Sequence, residues 1–275
     1  MTTVGVLHPG AMGSAIGGAL HRGGADVVWV SEGRSAETAA RAAAGGFRDV
    51  GTLSALGAVD VVVSVCPPDA ARAVAEAVAA TDFGGVYLDA NATSPTTAAA
   101  VDNTVTAAGV TFVDGSIIGG PQAPRLYLCG EAAHTVVGLF ASPVSVEVLD
   151  GPKYAASSLK MIYAGWTKGT SALLLALAAA AEGLGVSEAI RAEWGRSQPA
   201  LLQRLEAAGA PAAKAWRWSG EMREIAGTLA QAGLPPSFHD AAAEVYERLA
   251  PLKDDPAVDP HDIAHILLEP WQPRP

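Results

Sequence analysis

The sequence predicts an α/β protein with a doubly wound parallel sheet, followed by a long connecting helix and an all-α C-terminal domain. Three observations predict it. Short, β-branched apolar runs alternate with alanine-rich stretches through the first half of the chain. A glycine-rich turn follows the first of these runs and opens a helical stretch. After Asp150 the strand signals stop and helical patterning takes over.

The apolar runs are "TVGVLH" (Thr3–His8), "ADVVWVS" (Ala25–Ser31), "VDVVVSVC" (Val59–Cys66), "GGVYLDA" (Gly84–Ala90) and "GVTFVDGSI" (Gly109–Ile117). Between them, Ala11–Arg22, Ser35–Ala44, Pro68–Ala80 and Ser94–Ala108 suit helices, the first stopping at the Gly23–Gly24 pair. Strand–helix–strand alternation implies right-handed crossovers and a parallel sheet. "RLYLCG" and "VSVEVLD" extend or close that sheet.

From Lys153 to Gly185 the chain is almost continuously helical, with Gly165 and Gly169 as weak points that close helix packing can offset. About thirty helical residues span roughly 45 Å, more than one small domain needs, so a second subunit is expected against this helix. Five more helices are expected at Ser187–Gly195, Pro199–Ala208, Ala212–Ala232, Ser237–Leu249 and Pro260–Leu268. The domains expected are residues 1–151 and 152–275, the second carrying the long helix and a helical substrate and dimerisation region.

Composition narrows the function. Half of the 275 residues are hydrophobic and the formal net charge is −10, which fits a large core and disfavours nucleic acid or an anionic membrane as partner. The two cysteines, Cys66 and Cys129, read as free thiols of a reducing compartment. The chain opens on a strand without a basic n-region, and its longest apolar helical run, Ala172–Ala181, falls well short of a membrane span. A soluble cytoplasmic protein is expected.

"HPGAMG" (His8–Gly13) has two glycines of a dinucleotide-binding turn. Gly10 suits backbone approach to a pyrophosphate and Gly13 suits helix–strand packing, while His8 stands where the tight-turn glycine usually sits. This makes the sheet Rossmann-like and places a pyrophosphate on the N-terminus of the first helix. His8, Pro9, Gly10, Ala11 and Met12 would line that site. After the second strand, Glu32 suits ribose hydroxyls and NAD, whereas Ser31, Arg34 and Ser35 form a compact anion-binding set suited to the 2′-phosphate of NADP. NADP is the expected cofactor, with NAD as the alternative.

Four ordered segments resemble the 6-phosphogluconate dehydrogenase-like and 3-hydroxyacid dehydrogenase superfamily, which includes imine reductases. They are "HPGAMG", "DANATSP" (Asp89–Pro95), "DGSIIGG" (Asp114–Gly120) and "GPKYAASSLKM" (Gly151–Met161). "LKMIYAGWTKG" with the later "EMREIAGT" resembles a poorly characterised branch with a phosphogluconate-dehydrogenase-like helical domain. The resemblance implies a nicotinamide-dependent oxidoreductase, with Lys160 aligned to the family's catalytic lysine. This chain departs from the pattern at the substrate. Ile118 replaces a carboxylate-binding serine, Ala164 replaces an asparagine, and Asn91–Ala92 replace a Ser-Thr pair. An apolar Ile118 offers no hydroxyl to a carboxylate.

Lys160 is therefore the candidate acid/base, with Tyr163 and Thr167 sharing its helix face at i+3 and i+7. Tyr163 is an alternative proton donor. Lys168 is a candidate anchor for an anionic substrate group, and Ser116, Ile118 and Gly119 line a glycine-containing substrate loop. Cys66 and Pro67 stand at the end of the third apolar run and, with Asn91, border the cofactor; Cys66 reads as packing, not as a nucleophile. "HDIAH" has His261 and His265 at metal-like spacing, but it lacks the glutamate of a zinc-hydrolase helix, so no metal is expected. Trp194, Trp216 and Trp218 could line a pocket for a bulky substrate but read more readily as helical core or a dimer contact, and sequence does not place His239.

The functional expectation is NADPH-linked reduction of a carbonyl, or oxidation of the matching hydroxy compound. Imine reduction is the alternative, and a cofactor-binding regulatory protein without catalysis is the alternative from another class. A homodimer through the long helix is expected.

Overall fold

The computed structural model describes residues 1–253, 255 and 258–270. The chain divides into two compact units, Met1–Met161 and Ile162–Pro275. The expected boundary between residues 151 and 152 falls just before the long helix, while the first compact unit runs on through that helix's opening turns. Residues 271–275 of the expected second domain lie outside the described residues.

The first unit begins β1 (Thr3–Val6), α1 (Ala11–Arg22), β2 (Asp26–Trp29), α2 (Ala36–Ala44) and β3 (Arg48–Asp49). It continues through β4 (Val61–Ser64), α3 (Ala71–Ala79), β5 (Val86–Asp89), α4 (Pro95–Ala107) and β6 (Thr111–Ile118). β7 (Arg125–Cys129), α5 (Ala133–Val137) and β8 (Ser145–Val148) complete the sheet. Its strand order is β3-β2-β1-β4-β5-β6-β7-β8. All pairings are parallel except β6–β7, which is antiparallel with Asp114 opposite Cys129.

Both faces of the central strands β1, β2, β4 and β5 are covered, which is why those strands are largely apolar. Val4, Val6, Val61 and Val63 point to one side and pack with Ile16 and Leu20 of α1 and Val136 of α5. Leu7, Val28, Val62 and Tyr87 join the opposite cluster with Ala75 and Val78 of α3 and Val101 and Val105 of α4. The period-2 alternation of the strand backbone sorts adjacent valines between the two faces. After β1 the chain builds outward to β2 and β3 and then returns to β4, so β1 and β4 flank the switch point where such sheets bind ligands.

α6 (Ala155–Gly183) runs for 29 residues, about 44 Å at 1.5 Å per residue. It starts in the first unit and continues through the second. There it is followed by α7 (Ser187–Ser197), α8 (Pro199–Glu206), α9 (Gly209–Ala212), α10 (Trp218–Gln231), α11 (Ser237–Arg248) and α12 (Pro260–Leu268). The single helix expected over Ala212–Ala232 is broken: α9 ends at Ala212, a 3₁₀ turn covers Ala215–Arg217, and α10 starts at Trp218. The weak glycines of α6 have a packing reason. A Cβ at Gly169 would stand 2.8 Å from the His239 imidazole and one at Gly165 3.3 Å from it, and His239 Nε2 pairs with the Gly165 carbonyl oxygen at 3.1 Å. Beside this notch the Tyr246 hydroxyl donates to the Lys168 carbonyl at 2.6 Å, and its ring meets Trp218 edge-on at 5.2 Å.

No helix among the described residues is long and apolar enough to cross a membrane. No cluster of three or more histidine, cysteine, aspartate or glutamate side chains suited to a metal is present among them either. His261 instead faces Glu182 at 3.3 Å.

Candidate active site

The glycine turn leaves β1 toward the carboxyl edge of the sheet. Gly10 N donates to the His8 carbonyl at 2.7 Å, closing the turn that a third glycine would otherwise make. Gly13 has no alternative in this packing, because a Cβ there would lie 2.1 Å from the His8 carbonyl oxygen. Gly10 differs: a Cβ there meets nothing within 4 Å, so its bare backbone opens outward. Gly10 is also the N-cap of α1 and supplies no side-chain bond, leaving the first-turn N–H groups to an outside acceptor. Ala11 is exposed and Met12 half-buried beside this terminus, and the carbonyl of buried Pro9 is held by Ser14 Oγ at 3.0 Å and Arg41 Nε at 3.2 Å. These features fit a dinucleotide pyrophosphate.

His8 is half-buried and its Nδ1 has no partner among the described residues. Burial, reinforced by the Arg34 guanidinium, lowers its pKa to about 4, so the ring is neutral at physiological pH. Arg34 also acts on Cys66, so its charge is felt at the turn after β1 and at the turn after β4. Burial pushes the Cys66 thiol up to about 12, which fits packing and excludes a resting thiolate. Ser35 caps α2 by accepting from Thr38 N at 3.2 Å, and Arg34 N donates to the Ser31 carbonyl at 3.0 Å. Ser31, Arg34 and Ser35 thus occupy one turn, with Arg34 exposed.

Asn91 sits differently from its expected place. It is buried at 2 % exposure; its Oδ1 accepts from Cys66 N at 2.6 Å, and its Nδ2 donates to Ser64 Oγ at 3.1 Å and to Asp89. It shapes the Cys66–Pro67 loop from beneath and does not present its amide to a cofactor. Cys66 is half-buried and Pro67 exposed on that loop.

Lys160 Nζ donates to the Ile117 carbonyl at 2.8 Å, and Ser157 N and Oγ donate to the Asp114 carboxylate at 3.0 and 2.6 Å. Ser157 precedes Lys160 by three residues, as Asp114 precedes Ile117, so the first turns of α6 run along β6 in fixed offset. Asp114 supplies the anion at the start of α6. The half-buried Lys160 ammonium is thereby carried to the carboxyl end of β6, on the same sheet edge as His8 and Cys66.

Three expected substrate contacts lie elsewhere. Ser116 is fully buried with no partner for its Oγ among the described residues, and Ile118 is 3 % exposed, because this end of β6 is covered on both faces. Gly119, at φ +99°, and Gly120 are the exposed residues of that segment. Lys168 forms an ion pair with Glu221, which is 6 % exposed, and lies 5.2 Å from the Trp218 ring. Its charge is committed within the helical unit, so it is no anchor for a substrate anion. Tyr163 is 43 % exposed, and the Thr167 hydroxyl donates back to the Tyr163 carbonyl at 3.1 Å.

Sequence reasoning missed the aspartates beneath the site. Asp89 on β5 and Asp114 on β6 are register partners on adjacent parallel strands. Burial raises Asp89 to about 7, with the Asp114 charge adding, and burial raises Asp114 to about 6 against the Ser157 bonds. Both folded pKa values lie above the unfolded ones. The stability these carboxyls contribute is therefore complete below about pH 4 and is lost as pH rises through about 6 to 7. Asp89→Asn should flatten the fall in melting temperature over that window relative to the natural protein; parallel melting profiles for the two would contradict this.

Residues 3–125 match the NAD binding domain of 6-phosphogluconate dehydrogenase, and residues 181–249 match a domain of unknown function (DUF1932). No curated protein matches the chain. Among solved structures, the conserved protein MTH1747, of unknown function and structurally similar to 3-hydroxyacid dehydrogenases, is 25% identical with a TM-score of 0.67, covering 91% of this chain and 97% of its own. A 3-hydroxyisobutyrate dehydrogenase from Mycobacterium tuberculosis shares the fold at 19% identity and TM-score 0.68, covering 98% of this chain and 99% of its own. An imine reductase from Myxococcus stipitatus with bound NADP+ shares it at 18% and 0.55, covering 90% and 93%. The chain carries the nicotinamide-dinucleotide-binding domain of the 6-phosphogluconate dehydrogenase type, joined to a helical region that contains the domain of unknown function.

Proposed function

We propose that this protein is an NADPH-linked reductase of a carbonyl compound, or the dehydrogenase of the matching alcohol, with Lys160 as its acid/base. The observation that carries the reading is the Lys160 ammonium, held at 2.8 Å on the Ile117 carbonyl at the sheet edge that also bears the glycine turn. A bound nicotinamide supplies or accepts the hydride. As negative charge develops on the substrate oxygen, Lys160 Nζ stabilises it and gives up a proton; in the oxidative direction the neutral amine takes the proton back. Tyr163, exposed one turn further along α6, is the second candidate to orient that oxygen.

Cationic iminium substrates are disfavoured by the same ammonium, although the imine reductase shares the fold. Ile118, buried and apolar, disfavours a simple 3-hydroxyacid held by its carboxylate. The test is titration with NADPH and NADH, then a screen of ketones, hydroxyacids and cyclic imines with the natural protein and Lys160→Ala. Lysine-dependent turnover of a carbonyl supports the reading. Turnover of imines alone favours imine reduction, and tight NADPH binding without any turnover favours a regulatory protein.

Preference for NADPH is attributed to Arg34, with Ser31 and Ser35. Arg34→Gln should raise the KM for NADPH by about tenfold or more, as expected for loss of a charge-assisted phosphate contact, while leaving that for NADH nearly unchanged. Equal changes for both cofactors would remove Arg34 from this role.

A cytoplasmic homodimer through α6 is part of the proposal. Ile162, Trp166, Leu173 and Leu177 are 60, 72, 44 and 50 % exposed and recur along one face of α6. Trp166→Glu should yield a monomer in light scattering; a natural protein that is already monomeric would overturn the dimer.

A further inference from the structure

Within the helical unit, α6, α8, α10 and α11 line a recess of about 220 Å³. Its wall is made of small and apolar side chains, among them Leu174, Leu175, Ala208 and Ala215, with Trp218 and Tyr246 also lining it. Leu174 and Leu175 are 6 and 7 % exposed, and Ala215 and Tyr246 are fully buried, whereas Arg204 and Ala207 are exposed, so the recess has a buried apolar floor and opens to solvent. Alanines leave the space that larger side chains would fill, and a wall without facing atoms forfeits its dispersion contacts. An apolar cavity of about 150 Å³ holds benzene, so by proportion this one holds an apolar body of roughly nine heavy atoms.

One cation lies in the lining. Arg204 is exposed, and its Nη2 donates to Thr170 Oγ1 and Ser171 Oγ, both at 3.0 Å. Those hydroxyls donate onward to the Trp166 and Thr167 carbonyls of α6, so they are fixed as acceptors and hold the guanidinium in place. No carboxylate pairs with Arg204 among the described residues, and its Nε and Nη1 hydrogens remain for an incoming acceptor. The other cation of this unit beside Trp218, Lys168, is already neutralised by Glu221.

We propose that this recess binds a small carboxylate with an aromatic or branched apolar body, the body against Trp218 and the carboxylate on Arg204. It would give the domain of unknown function a ligand, and it does not depend on Lys160 or on the proposed reductase activity. Guanidinium geometry and permanent charge suit a carboxylate, and the hollow selects an apolar body of limited size.

The test is calorimetric titration of the full chain with 3-phenylpropionate and with its neutral counterpart 3-phenylpropan-1-ol. The acid should bind saturably and about tenfold or more tighter than the alcohol, and Arg204→Gln should remove that difference. Ala208→Leu should fill the recess and abolish binding of both without lowering the melting temperature. If the leucine variant fails to fold, the Arg204→Gln result alone decides, since it alters an exposed side chain. Absence of saturable binding, equal binding of acid and alcohol, or an acid affinity untouched by Arg204→Gln would overturn the proposal.

Discussion

Lys160→Ala should lower kcat by about 10²–10⁴-fold, the range for losing a positioned acid/base, and leave NADPH affinity within a few-fold of the natural protein. The separation follows from geometry. Lys160 reaches the sheet edge from α6 and bonds the Ile117 carbonyl, whereas the pyrophosphate would be held by the turn after β1. Lys160→Arg keeps the charge but changes its shape and holds its proton far more tightly, so it should restore little turnover. Comparable losses of kcat and of NADPH affinity in the alanine variant would place the lysine in the cofactor site instead.

The second large effect separates the two glycines of the turn. At Gly13 a Cβ would collide with backbone, 2.1 Å from the His8 carbonyl oxygen, and only a displacement of α1 from β1 relieves it. Gly13→Val should therefore cost about 3 kcal/mol or more, lowering the melting temperature by roughly 6–12 °C and weakening NADPH binding at least about tenfold. At Gly10 a Cβ meets nothing and φ is −70°, so Gly10→Ala should fold with unchanged stability. It should still weaken NADPH, because the added methyl stands where the backbone must approach the pyrophosphate. Thermal melts paired with NADPH titration distinguish the two: one variant loses both properties and the other loses only binding. Identical behaviour of the two variants would refute the assignment of separate roles.

The sheet was legible because its strands are buried on both faces and so read as uninterrupted apolar runs. β3 was not, since Arg48 and Asp49 are exposed and carry no apolar signal. The antiparallel turn into β7 was hidden for the opposite reason: a buried strand looks the same in either direction. Alanine-rich composition hid the break between α9 and α10, where every residue from Ala213 to Arg217 is compatible with a helix.

At the site, backbone requirements were legible and side-chain commitments were not. Gly10 and Gly13 follow from local turn chemistry. Lys168 carried no sign that Glu221, 53 residues later, would neutralise it. Ser116 and Ile118 were placed at the loop on a family pattern, but β6 extends to Ile118 and is covered on both faces there, which buries both. Asp89 and Asp114 each stand inside an otherwise apolar run, and that shared placement was the available clue to a buried acidic pair. What remained invisible was their register, which only the parallel pairing of β5 and β6 supplies.

The most direct test is a single-turnover measurement with NADPH already bound, in the natural protein and in Lys160→Ala, after addition of a carbonyl compound found in the substrate screen. The account predicts equal NADPH occupancy in both and oxidation of that NADPH slowed by at least about 10²-fold in the variant. Oxidation at the natural rate in Lys160→Ala would contradict it.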